Sequence, residues 1–116
     1  MMTLQEKLRW FGAKVAGVCS HAYHYTKAKN ATVPYAVWAE DSEGESFHAD
    51  SHKAEQVISG SLNYFTKTEF DSTCDALQDM LDNVCCEWYL SSVQYEPDTG
   101  LIHYEWRWDI DGKNAD

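Results

Sequence analysis

His48 and His52 stand four residues apart with Asp50 between them, a spacing that sets two imidazoles on one face of a helix and could begin a zinc site. Asp50 does not sit where a metalloprotease helix carries its base, and no third ligand is apparent, so a solvated loop is the plainer reading. His21 and His24 are also close, and Cys85 and Cys86 are adjacent, but neither pair has a chelating spacing such as C-x-x-C. Nucleophilic catalysis would call for a Cys or Ser on a strained turn beside a His, and no G-x-S-x-G frame exists. Cys74, Cys85 and Cys86 fall on or at the end of a helical stripe, where a thiol acts as a small buried hydrophobe. The six glycines are scattered, so no phosphate loop is formed. In a chain this acidic, neighbouring carboxylates carry little information about acid-base chemistry. The expectation is a protein with no catalytic, cofactor-binding or metal-binding residues, and not an enzyme.

The charge narrows the partners. Nineteen acidic against nine basic residues give a net charge of −10, which repels phosphate and argues against specific nucleic-acid binding. Such a surface keeps a protein dispersed, and it also suits one that nucleic acid must pass without sticking. The N-terminus MMTLQEKLRW has an early acidic residue and no apolar core of a signal peptide, so a cytoplasmic setting with four reduced cysteines is expected. No apolar run approaches the roughly 20 residues of a membrane helix. At 116 residues, 44% of them hydrophobic, the chain has room for one domain with one real core.

The elements can be placed from periodicity. Leu4, Leu8, Phe11 and Val15 recur at helical spacing after Thr3, with Glu6 completing a capping-box pattern, and predict a helix to about Ala16. Trp10 lies off that stripe and either widens the buried face or offers an anchor to a partner. Residues 19–32 show no sustained period, and the segment KAKNAT reads as a surface loop. Pro34 opens a strand with Tyr35, Val37 and Ala39 on one face and Ala36 and Trp38 on the other. Trp38 thus covers a local cluster or faces a neighbouring chain. A turn at Ser42–Ser46 follows, then a short strand near Phe47–Ala49 and an ambiguous polar segment. A long strand from about Gln56 to Thr66 puts Ile58, Leu62, Tyr64 and Thr66 on one face, with Gly60 marking a bulge or a close approach. Asp71 or Ser72 caps a second helix whose stripe is Cys74, Leu77, Leu81 and Val84. A hairpin then runs from Glu87 through the turn Glu96-Pro97-Asp98-Thr99-Gly100 into Leu101–Ile110. Ile102, Tyr104, Trp106, Trp108 and Ile110 form the apolar face of that last strand, which should lie centrally or nearly so. The fold class expected is α+β: a mainly antiparallel sheet of four to five strands with two helices packed on one face. Residues 1–116 form a single domain with a loose tail from about 111.

Five Trp, seven Tyr and four Phe are more aromatic surface than one small core readily hides, which points to an oligomer or an assembly partner. The order of elements resembles a known group. A short N-terminal helix, the strand Pro34-Tyr35-Ala36-Val37-Trp38, a polar hairpin, VISGSLNYFTK running into DSTCDALQDMLDNV, and the closing YEPDTGLIHYEW are similar in layout to the tail-completion proteins of long-tailed bacteriophages. The tail terminators are the nearest group, with head-tail joining and minor tail proteins beside them. The resemblance implies an oligomeric ring, commonly a hexamer, that caps the tail tube in the virion tail after assembly in the bacterial host cytoplasm. Its partners would be its own copies, the tail tube protein and a head-completion protein, with DNA passing through unbound and no membrane. It implies no catalytic residues and no cofactor. The acidic hairpin, Glu40, Asp41, Glu43, Glu45 and Asp50 with Glu55 beyond, would face the lumen or a partner, and Trp10 and Trp38 are candidate interface aromatics. The other class left open is a small non-viral binding module or enzyme accessory using an aromatic-rich face.

Overall fold

The computed structural model describes residues 2–44, 48–49, 52–53 and 55–115, with the backbone alone at 48–49 and 52–53. Helix α1 (Leu4–Val18) starts where the sequence predicts: the Thr3 hydroxyl accepts from the Glu6 N–H at 3.1 Å, and Glu6 Oε1 accepts from the Thr3 N–H at 2.7 Å. It buries Leu8, Phe11 and Val15, while Leu4 stays exposed and Trp10 packs at the margin of the core. Lys7 joins the buried face, its ammonium donating to Glu55 at 2.9 Å and to the Gln56 carbonyl at 2.7 Å.

The remaining elements are β1 (Ala22–His24), β2 (Tyr35–Glu43), β3 (His48–Ala49), β4 (His52–Lys53), β5 (Ile58–Thr66), α2 (Ser72–Val84), β6 (Glu87–Glu96) and β7 (Leu101–Ile110). Five strands form one sheet in the order β1-β2-β5-β7-β6, antiparallel except for the β1–β2 pair, and β3 pairs with β4 separately. The α+β expectation holds in class and layering. β7 lies next to the central strand, and β1 is an element the sequence concealed: three residues carry no period, and the strand exists because Ala22, Tyr23 and His24 line up beside Ala36, Val37 and Trp38.

The register shows which side chains share a face, because cross-strand partners point the same way. Ala36, Trp38, Leu62, Tyr64, Trp106, Trp108 and Ile110 turn toward α1 and α2 and form the core with Phe11, Leu77 and Leu81. Gly60 lies under the Trp108 indole, and Gly12 of α1 lies under Trp38, where a methyl group would sit 2.6 Å from the ring. No helix among the described residues covers the opposite side of the sheet. That side carries Tyr23, Tyr35, Phe65 and His103 as a row of neighbouring rings with centroids 6.2, 4.9 and 4.3 Å apart.

Two strands carry a bulge, and the one in β6 keeps its apolar residues on the helix side. In β6 the alternation changes phase at Ser91, and the register shift between Leu90 and Ser92 restores it, so that Trp88, Leu90, Val93 and Tyr95 all oppose core-side residues of β7. β2 has its own shift at Asp41. In the tail, Asn114 Nδ2 donates to the Asn83 carbonyl at 3.2 Å, and Gly112, at φ +81°, lies near Lys7 and Met2. No helix among the described residues is long and apolar enough to cross a membrane.

Candidate functional site

Cys19 and Cys85 are buried in the core, Cys74 packs half-buried at its margin, and Cys86 is exposed. Burial pushes the pKa of Cys19, Cys74, Cys85 and Cys86 upward, with nearby carboxylates adding to the effect, and Cys74 reaches about 11. His48 and His52 belong to an extended hairpin in which Ala49 opposes His52 and His48 opposes Lys53, so the helical spacing that would have joined them does not apply. No group of three or more His, Cys, Asp or Glu among the described residues is arranged to hold a metal ion.

The acidic residues assigned to a projecting hairpin are partnered where they are described. Asp41 takes a two-pronged hydrogen bond from the Arg107 guanidinium, with Nη2 2.9 Å from Oδ1, and this donor holds its carboxyl below the usual range. Glu43 Oε1 accepts from Gln56 Nε2 at 3.1 Å. Glu40 turns to the helix side of the sheet, where it accepts from the Tyr25 hydroxyl and lies 2.7 Å from His24 Nε2. Burial alone would raise the Glu40 pKa, but the bonds from Tyr25 and His24 bring it below the ordinary value. Glu45 and Asp50 lie outside the described residues.

Glu40 thereby belongs to a cluster the sequence did not disclose. His24 is sandwiched between Tyr25 and Trp38, each ring centroid 3.8 Å away, and Tyr25 holds a left-handed backbone at φ 73°. The stack forms one wall of a cleft of about 430 Å³ under α1, also lined by Leu8, Arg9, Gly12 and Ala16. His24 and Glu40 are sixteen residues apart, and only the parallel pairing of β1 with β2 joins them. Trp38 forms the inner layer of this stack and meets Phe11 edge-on at 5.4 Å. At 6% exposure it is part of the core in the single chain. Trp10 is partly buried against the same core.

The exposed apolar groups lie elsewhere. Phe70, in the loop after β5, is 91% exposed and held at φ 56°. Tyr25 projects at the β1 edge. On β6, Leu90, Val93 and Tyr95 lie on the helix side but beyond helical cover, and Tyr89 lies on the open side.

No protein-family model and no curated protein matches the chain. Among solved structures it is similar to a chain in the virion of a native gene transfer agent particle, with 11% sequence identity, 93% of this chain and 91% of that chain covered, and a TM-score of 0.48.

Proposed function

We propose that the chain is a structural component of a phage-like particle, a tail-completion protein of the tail-terminator kind that closes into a ring on the tail tube and joins it to the head. The observation that carries this reading is the distribution of uncovered apolar surface. Leu4, Tyr25, Phe70, and on the two faces of β6 Tyr89 and the row Leu90, Val93 and Tyr95, are spread over separate places on one small domain. A module built to hold one ligand would concentrate such groups, whereas a subunit that meets several neighbours must spread them. The order of helices and strands supports the same reading, since the fold realises the layout by which the sequence resembles tail-completion proteins. In this role the protein has no reaction to perform, and its partners are its own copies, the tail tube protein and a head-completion protein.

Native mass spectrometry and sedimentation across a concentration series test the proposal. A closed oligomer, or a monomer converting to one as concentration rises to about 100 μM, is the expected result. A strict monomer throughout that range would sink the ring reading and leave the binding-module alternative, for which the cleft beside His24 and Glu40 is the observation to pursue.

A further inference from the structure

β6 is the outer strand of the five-stranded sheet, so one side of its backbone has no strand partner among the described residues. Its ten residues present an edge about 33 Å long, far more than the three-residue edge that β1 offers on the other side. Strands left permanently at an edge are usually blunted by lysine, proline or shortness. β6 contains no lysine and no proline, and its bulge is drawn inward, with the Ser91 hydroxyl donating to the Glu105 carbonyl at 3.1 Å. The helix-side row Leu90, Val93, Tyr95 is also uncovered, so an added strand would find both backbone groups to pair and apolar side chains to pack on.

Charge selects the occupant. Glu87 and Glu96 stand at the two ends of β6. If a second copy paired antiparallel over the full strand, each Glu87 would face the other copy's Glu96. Parallel pairing in register would set Glu87 on Glu87 and Glu96 on Glu96. Like charges directly opposite destabilise a strand pair, and here they would add to the repulsion between two chains of net charge −10. The short β1 edge could satisfy only a fraction of β6. We infer that β6 takes an extended segment of a different protein, apolar in its centre and carrying lysine or arginine at both ends. The contacts between copies of this chain then lie on other surfaces.

The test uses the full chain and a ten-residue peptide of alternating valine and threonine with lysine at each end. An analogue ending in glutamate and one N-methylated on every amide serve as controls. At low salt the lysine-ended peptide should shift and protect the amides of residues 87–96 in NMR and hydrogen exchange, and bind roughly tenfold tighter than the glutamate-ended one. The Glu87→Lys, Glu96→Lys variant, checked for folding by circular dichroism, should reverse that preference. N-methylation should abolish binding to the native chain, which keeps the test independent of the variant. The inference is overturned if the lysine-ended peptide leaves β6 unshifted, or if the N-methylated peptide binds equally well. It also fails if the chain alone forms an oligomer that protects the β6 amides, because the occupant is then a second copy. Formation of a ring through other surfaces leaves each of these readouts unchanged.

Discussion

Gly60 and Asp71 show how much single residues carry in this domain. A Cβ at Gly60 would intrude on both the Ala39 carbonyl oxygen and the Trp108 indole, one of them backbone that cannot step aside. Gly60→Ala should therefore destabilise the fold by at least about 2 kcal/mol, read as a lower urea midpoint at unchanged slope. Asp71 caps α2 through Oδ1, which accepts from the Thr73 N–H at 2.8 Å, while Oδ2 accepts from Tyr64 at 2.8 Å and Thr66 at 2.7 Å. Burial favours its neutral form, but these donors outweigh burial and lower its pKa. Glu40, Asp41 and Glu55 are lowered too, the last by the hydrogen bond from Lys7. A carboxylate with a depressed folded pKa adds stability above its unfolded value that is lost as pH falls through the folded one. Stability should thus fall off below about pH 4, and the loss should be shallower in Asp71→Asn. That variant should also cost about 1 to 3 kcal/mol near neutrality, because one amide oxygen cannot serve both the cap and the hydroxyls. A parallel pH profile for the two proteins would remove Asp71 from this account.

At the scale of an element, β7 has two faces with different consequences. Trp106 is 1% exposed, and its Nε1–H donates to Gln78 Oε1 at 3.1 Å on α2, so the ring joins sheet to helix. Its neighbour Arg107 lies on the open side and pairs with the half-exposed Asp41. Trp106→Ala should cost about 3 to 5 kcal/mol and Arg107→Ala no more than about 1. Denaturation midpoints decide it, and equal values would mean that the strand's faces have been exchanged. The alternation of β7 was legible in sequence because the strand is regular and one side is buried. β6 was legible as a strand but not in its phase, since Ser91 shifts the alternation and only pairing with β7 shows where the bulge falls. β1 was illegible, being defined wholly by its neighbour.

For the molecule as a whole, the charge of −10 concerns what surrounds it. If the segment around Glu43 and Glu45 lines a DNA passage, Glu43→Lys with Glu45→Lys should leave circular dichroism and native mass unchanged while impairing tail joining or DNA transit. Full joining by the double variant would reduce that charge to dispersal alone. Sequence by itself determined the helices, the long strands and the hairpin turn at Gly100, because periodicity, caps and left-handed turn residues are local properties that each segment carries with it. It also determined that Trp106, Trp108 and Ile110 share a buried face. Tertiary structure alone decided that Trp38 is buried in the core, that Lys7 is buried against Glu55, and that His24, Tyr25 and Glu40 meet beside a cleft. It likewise left the ten-residue edge of β6 without a strand partner among the described residues. Each of these depends on pairing or packing between segments distant in sequence, and no local period records which strand lies beside which.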